Sequence, residues 1–256
     1  MSKNASAPIW ASQNFLTSAA TIRQLIRKSD IRPGDLVYEI GPGKGHITRQ
    51  LLALGARVRA IELDPKLCDR LDRQFAGEPR FSLIRGDFLT LPLPKTGDYK
   101  VFSNIPFSLT TAILRRLTES QNPPVCAGLI MEKGAAMRFC GRPGENLSSL
   151  TLRPYFAADI AARVSRQEFH PQPKVDAALL VLHKKQPPDL PLNQRKSFSR
   201  FVRCAREKGL RTLLTKRQIA AALRACPEAP ADMRDGNLLY VQWLCLFRWW
   251  ARYKNN

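Results

Sequence analysis

A short apolar run, Leu36-Val37-Tyr38-Glu39-Ile40, passes without a break into Gly41-Pro42-Gly43-Lys44-Gly45, and this limits the fold more than any other feature. Ile47, Leu51 and Leu52 then recur at helical spacing, so the segment reads as buried strand, glycine turn and helix. The same alternation continues. Residues 58–61 read as a strand closing on Glu62, and Pro65 opens a helix reaching Phe75. Residues 81–84 form a third strand ending near Asp87, and residues 99–102 a fourth leading into Ser103-Asn104, with a helix from Ser108. Residues 125–132, 159–164 and 175–182 add three more strands, and a helix over 18–28 precedes them all. Strands alternating with helices give an α/β fold whose parallel sheet is covered on both faces.

The run Gln186-Pro187-Pro188-Asp189-Leu190-Pro191 is a proline-rich linker. It divides the chain into residues 1–185 and a helical part, 186–256, with helices expected over 197–207, 215–225 and 237–253. Residues 238–251 are the most apolar late stretch. They are too short to span a bilayer and contain Gln242 and Arg248, so they read as an amphipathic packing helix. The net charge is +20, and residues 185–256 hold 15 Lys/Arg against 5 Asp/Glu. Such an excess points to a polyanion partner, with nucleic acid first. Six scattered cysteines without a C-x-x-C pair, and three unclustered histidines, indicate neither a zinc site nor a disulfide framework. A reducing cytoplasm is the expected location, and the opening residues lack the pattern of a secretory signal.

The glycine turn lies at the carboxyl end of its strand, where open α/β sheets bind ligands. Its spacing is G-x-G-x-G rather than the dinucleotide pattern G-x-G-x-x-G, so a plain tight turn and a nucleotide loop both remain open. Glu62 ends the next strand 21 positions after Gly41, where a carboxylate accepts hydrogen bonds from ribose hydroxyls. Asp87 ends the third strand on the same rim, where it can accept from an adenine amine. Asn104-Ile105-Pro106-Phe107 sits on a strand-to-helix turn. Pro106 fixes one backbone angle and biases Ile105 towards an extended conformation, so the Ile105 carbonyl and the Asn104 oxygen can face one small volume. Two acceptors beside the flat face of Phe107 suit a planar ring carrying an exocyclic NH2. The plainer alternative is a helix cap with a core phenylalanine. Hydride transfer to a nicotinamide cofactor is the rival chemistry, and it has no use for paired amine acceptors.

Gln13-Asn14-Phe15-Leu16, Glu39-Ile40-Gly41-Pro42-Gly43-Lys44-Gly45, Glu62, Gly86-Asp87, Asn104-Ile105-Pro106-Phe107 and Phe169-His170-Pro171-Gln172-Pro173-Lys174-Val175-Asp176 together resemble the ribosomal RNA adenine-N6 methyltransferases. The resemblance spans nearly the whole chain, in order. It implies a Rossmann-like class I methyltransferase fold, a doubly wound, mostly parallel seven-stranded sheet, with a small C-terminal all-helical domain. It implies S-adenosylmethionine as methyl donor, with Asn14, Leu16 and Gly41 at the methionine end, Glu62 on the ribose and Asp87 on the adenine. Asn104 would stand between donor and acceptor, and Asn104, Ile105, Pro106 and Phe107 would form the catalytic turn.

The family has two main branches, one dimethylating adjacent adenines of small-subunit (16S) RNA. The other, Erm-type, methylates one adenine of 23S RNA and confers macrolide–lincosamide–streptogramin B resistance. Three features are similar to the Erm-type branch: the opening Ser12-Gln13-Asn14-Phe15-Leu16-Thr17-Ser18, the tetrad Asn-Ile-Pro-Phe where the other branch usually has Asn-Leu-Pro-Tyr, and the ending Gln242-Trp243-Leu244-Cys245-Leu246-Phe247. A non-catalytic RNA-binding relative is a more distant alternative.

RNA contacts are expected from Arg115 and Arg116 after the tetrad, Arg138 and Arg142 around Gly141, and Lys174 in the proline loop. In the tail, Arg195, Lys196, Arg200, Arg203 and Arg206 recur at helix-like intervals. The expected target is a 23S hairpin or loop adenine, whose base leaves its stack to meet Phe107. A monomer with no metal and no membrane partner is expected.

Overall fold

A computed structural model of the chain describes residues 14–226 and 238–254. The expected opening residues Ser12 and Gln13 and the expected helix start at Asn237 lie outside the described residues. The described residues fall into two compact units. One comprises those up to Ala136 together with Ala158–Lys184, and the other Met137–Ala157 with those from Lys185 onward.

In the first unit, β2 (Leu36–Ile40), β3 (Arg57–Glu62), β4 (Phe81–Arg85), β5 (Lys100–Asn104) and β6 (Cys126–Glu132) pair in parallel, with β1 (Phe15–Leu16) set apart. With β7 (Phe156–Val164) and β9 (Ala177–Lys184) they make a seven-stranded sheet in the order β4-β3-β2-β5-β6-β9-β7, in which β9 runs antiparallel to β6. Order reverses between β2 and β5, the switch point where open sheets leave a crevice at their carboxyl edge. Asn104 is the last residue of β5, on the strand beside the one that Gly41 follows. The mostly parallel seven-stranded sheet is as the sequence implies.

Helices α1 (Ala19–Arg27), α2 (His46–Leu54), α3 (Pro65–Gln74) and α4 (Thr110–Thr118) connect or flank these strands. Ser18 caps α1 by accepting from Thr21 N, and Asp64 caps α3 by accepting from Lys66 N, each meeting an otherwise orphaned N–H. Ile22, Leu25 and Ile26 of α1 and Ile47, Leu51 and Leu52 of α2 form one buried cluster with Phe102, Ile130, Leu179 and Val181. The sequence pattern missed a two-stranded sheet in which β1 pairs antiparallel with β8 (Phe169–His170), Phe15 opposite His170 and Leu16 opposite Phe169. Two residues are too few to show any period. The short helices α5 (Lys133–Phe139) and α6 (Leu147–Leu152) also carry no expectation from sequence.

The second unit differs in one respect from a division at 185/186. Residues 137–157 precede the linker yet pack with the tail helices α7 (Arg195–Lys208), α8 (Lys216–Arg224) and α9 (Tyr240–Lys254). Its core is aromatic: the Phe198 and Phe247 rings lie 5.0 Å apart edge-on, and Phe201 lies 5.7 Å from Phe247 and 5.3 Å from Trp250. Earlier residues are fastened to the tail by cations. The Arg195 guanidinium stacks 4.0 Å from the Tyr155 ring centre, and Arg206 Nη1 donates to the Glu145 carbonyl at 3.0 Å. No helix among the described residues is long and apolar enough to cross a membrane.

One carboxyl group is enclosed in the sheet. Glu39 of β2 is 1 % exposed, and Thr48 Oγ1 of α2 donates to its Oε2 at 2.6 Å. Burial pushes the Glu39 carboxyl from its ordinary 4.5 up to about 8; the Thr48 bond opposes this and the neighbouring Glu62 adds to it. Between these two values the unfolded chain releases a proton that the folded chain keeps. Stability therefore falls as pH rises through that window, by on the order of 1 kcal/mol per pH unit. A Glu39→Gln variant lacks this slope. Its gain in urea midpoint over the parent should grow steadily from pH 5 to pH 8, and a pH-independent difference would show that the folded carboxyl is already ionised.

Candidate active site

The glycine turn takes its shape from three left-handed residues, Gly41 (φ 62°), Gly43 (φ 59°) and Gly45 (φ 78°). At Gly43 a side chain is also sterically barred, since an added Cβ would lie 2.4 Å from Cε1 of Phe15. Lys44 sits with its ammonium 4.9 Å from the centre of the same ring. Phe15 therefore roofs the turn, and it does so from β1, an element that sequence reading missed.

Glu62 ties the turn to the next strand. Its Oε2 accepts from Gly43 N at 3.0 Å, while Oε1 accepts from Leu63 N at 2.8 Å and Asp64 N at 3.0 Å. A carboxylate offers about four lone-pair sites, so roughly one stays open for a ligand. The ribose hydrogen bonding expected from sequence thus meets an acceptor already largely used by the backbone. Asp87 Oδ1 accepts from Leu89 N at 2.8 Å, and its backbone carbonyl accepts from Thr90 N and Leu91 N, which coils residues 87–91 into a tight turn. Gly41, Glu62 and Asp87 share the lining of one narrow slot, of about 70 Å³, with Ile40, Ile61, Phe88, Pro106, Leu109 and Ile113.

A second cavity, about 230 Å³, adjoins it and is lined by Asn14, Phe15, Gly41 and Asn104 through Ser108. Here Asn104 Nδ2 donates to the Asn14 carbonyl at 2.7 Å. A carbonyl can only accept, so this contact fixes which end of the amide faces Asn14 and leaves Oδ1 as the end turned elsewhere. From the sheet side Ile105 N donates to Ile130 O at 3.1 Å, and the Ser103 hydroxyl donates to the Ile40 carbonyl. Pro106 (φ −58°, ψ 126°) then turns the chain, leaving Phe107 half-buried at the cavity wall. The two cavities have Gly41 and Pro106 in common.

Of the residues expected at the site, Asn14, Gly41, Glu62, Asp87, Asn104, Ile105, Pro106 and Phe107 line one cavity or the other. Leu16 lines neither; it is 2 % exposed in the core cluster. No titratable base stands within either lining except the carboxylates named. His46, after the glycine turn, is held below the ordinary imidazole range by burial and by the Lys44 charge.

The expected RNA-contacting residues separate into three places. Arg115 and Arg116 line an open groove of about 930 Å³ along α4 with Lys95, Ser108 and Thr111, so this groove begins where the Phe107 turn ends. Arg115 is exposed and pairs with Glu119 at 3.0 Å. Lys174 lines a hollow of about 440 Å³ with Lys133 and Arg166, two cations that sequence reading missed because they sit at the ends of separate elements. Arg138 and Arg142 are both exposed and belong to the second unit.

The model of a family described as ribosomal RNA adenine dimethylase matches residues 8–231. An rRNA adenine N-6-methyltransferase of Lysinibacillus sphaericus is 34% identical over 239 residues, covering 92% of this chain and 93% of its own. A ribosomal RNA small subunit methyltransferase A of Chlorobium limicola is 33% identical over 242 residues, covering 92% and 90%. Among solved structures, the 23S rRNA methyltransferase ErmE superposes with a TM-score of 0.80 at 26% identity, over 93% of this chain and 100% of that one. With the crevice, the glycine turn and the Asn104 turn in place, these matches identify the chain as a member of the ribosomal RNA adenine dimethylase family, an S-adenosylmethionine-dependent rRNA adenine N6-methyltransferase.

Proposed function

We propose that this enzyme is of the Erm type, methylating N6 of one adenine in 23S ribosomal RNA and so conferring resistance to macrolide, lincosamide and streptogramin B antibiotics. The observation that carries this reading is the likeness in fold to the whole of the ErmE chain, at a TM-score of 0.80. The Asn-Ile-Pro-Phe form of the tetrad supports it. Dimethylation of small-subunit RNA is the second reading, favoured by relatives such as the Chlorobium limicola protein.

The lining of the narrow slot matches the nucleoside end of S-adenosylmethionine in chemistry, though at about 70 Å³ the slot would have to widen to admit it: apolar walls suit a flat ring, and Asp87 and Glu62 offer acceptors to an amine and a ribose hydroxyl. Asn14 and Gly41 would hold the methionine end. The bound donor supplies a methyl group activated on a sulfonium. The chain's own residues would grip the other reactant in the 230 Å³ cavity. Phe107 would stack on an adenine that has left its helix, a contact worth roughly 1–3 kcal/mol against an unstacking cost of a few kcal/mol. Asn104 Oδ1 and the Ile105 carbonyl would accept hydrogen bonds from the two N6 hydrogens, drawing the nitrogen lone pair out of the ring and towards the methyl; one of these hydrogens would leave as a proton to solvent once N6 is alkylated. The Asn14 carbonyl keeps the Asn104 amide from turning over. Catalysis of this kind is positioning and local electrostatics, and it requires no base titrating near neutrality.

Naked 23S and 16S RNA, incubated separately with the enzyme and labelled donor, digested and mapped by mass spectrometry, should show methylation at a single adenine of 23S. Methylation at two adjacent adenines of 16S instead would establish the second reading. Asn104→Ala should lower kcat about a hundredfold, equivalent to roughly 2.7 kcal/mol of lost transition-state stabilisation, while Phe107→Ala should mainly weaken RNA binding. Near-normal turnover in both would rule out this use of the tetrad.

The tail supplies a further check. Arg195 and Arg206 are committed within their unit, whereas Lys196, Arg200 and Arg203 are exposed at intervals that place them on one face of α7. Replacing all three with Gln should reduce the slope of log affinity against log salt by about 2 to 3, since each phosphate left without its cation lowers that slope by roughly 0.7 to 0.9. An unchanged slope would make this face ordinary solvated surface.

A further inference from the structure

Arg116 does not have the surroundings of a phosphate contact. It is half-buried, its Nη2 donates to the Leu91 carbonyl, and its guanidinium lies 5.8 Å from the centre of the Phe88 ring. Its Nε is sealed from solvent with no acceptor. Its neighbour Arg115 is exposed and paired with Glu119, so the two adjacent arginines occupy opposite kinds of environment.

Both groups that Arg116 holds belong to the turn coiled around Asp87. Phe88 follows Asp87 directly and lines the narrow slot, and Leu91 N donates to the Asp87 carbonyl. Leu91 also packs over Gly86, where an added Cβ would lie 3.2 Å from its Cδ1. Gly86 N in turn donates to the Glu62 carbonyl at 2.8 Å. On α4, Arg116 is three residues after Ile113, which lines the slot, so one helix face presents both. The guanidinium therefore joins α4 to the turn from behind, at the point where the turn would otherwise face open solvent in the groove.

We propose that Arg116 is a positioning residue for the nucleoside slot, holding Asp87 and Phe88 in the geometry that binds the adenosine part of the methyl donor, and that it is not an RNA contact. This rests on the assignment of the slot to that cofactor and is independent of which ribosomal RNA is the target.

The test is calorimetric binding of S-adenosylhomocysteine to the full-length protein without RNA, alongside steady-state kinetics and RNA affinity. Arg116→Met should raise the Kd for S-adenosylhomocysteine and the KM for S-adenosylmethionine about tenfold, with kcat at saturating donor changed by less than about threefold. RNA affinity and its salt slope should stay at wild-type values. Arg116→Lys should fall between, a rise of roughly two- to fivefold, because an ammonium can still donate to Leu91 but cannot spread over the Phe88 ring. Should Arg116→Met not fold, Arg116→Lys decides alone, and a wild-type Kd overturns the proposal. Unchanged cofactor binding by Arg116→Met also overturns it, as does a salt slope lowered by about one with the cofactor KM intact. A wild-type protein that fails to bind S-adenosylhomocysteine would overturn the assignment of the slot itself, and this proposal with it.

Discussion

Three backbone N–H groups, from Gly43, Leu63 and Asp64, converge on the Glu62 carboxylate, which is 1 % exposed. A buried carboxylate is tolerable only when donors replace the water it has lost, and here the donors come from two different loops. Satisfying Glu62 therefore requires the turn after β2 and the turn after β3 to meet. That requirement sets the height of the rim on which the rest of the site is built. It also explains why Gly43 must be a glycine: its N–H reaches Glu62 from a left-handed conformation, with the Phe15 ring where a side chain would otherwise stand.

A second dependence runs through Asn104. In the proposed mechanism its side chain would serve as an acceptor while its amide nitrogen is occupied elsewhere, and the occupying group is a main-chain carbonyl at Asn14. Asn14 immediately precedes β1, which is held by β8 in a sheet of two residues per strand. Thr17 N donating to the Glu168 carbonyl, and the Thr21 hydroxyl donating to the Glu168 carboxylate at 2.8 Å, add to this small junction. The orientation of one side chain thus depends on a pairing outside the main sheet.

The parts of the fold legible in the sequence are those with a period or a punctuation mark. The five parallel strands are short apolar runs ended by Gly41, Glu62, Asp87, Asn104 or Glu132, and each ending falls on the carboxyl edge. Site residues could be named because glycines, acids and a proline-locked turn have few other uses at strand ends. Leu16 is a case apart: the family pattern places it at the cofactor, its side chain packs in the core, and any contact with a ligand would come from its main chain. β1 and β8 could not be read, because each finds its partner on the far side of the main sheet's sequence rather than in any local pattern. Charge alone did not separate Arg115 from Arg116, since the difference lies in their partners: Glu119 for the exposed one, and the Leu91 carbonyl of the Asp87 turn for the enclosed one. Similarly, charge alone could not distinguish Arg195 and Arg206, used as internal fasteners, from the exposed cations between them.

The junction of β1 with β8 also has a bearing on the order in which the chain acquires its abilities during synthesis. Every group lining the narrow slot lies between Ile40 and Ile113, and the strands that flank it are complete once β6 has emerged. The orienting carbonyl of Asn14, by contrast, is anchored only when Phe169 and His170 arrive to pair with Phe15 and Leu16. A ribosome-bound chain that has reached Glu132 already holds every residue of the narrow slot, while the carbonyl that orients Asn104 still lacks its β8 anchor. On the proposed assignment of the two cavities, binding of the donor and orientation of the substrate would thereby be separated along the growing polypeptide.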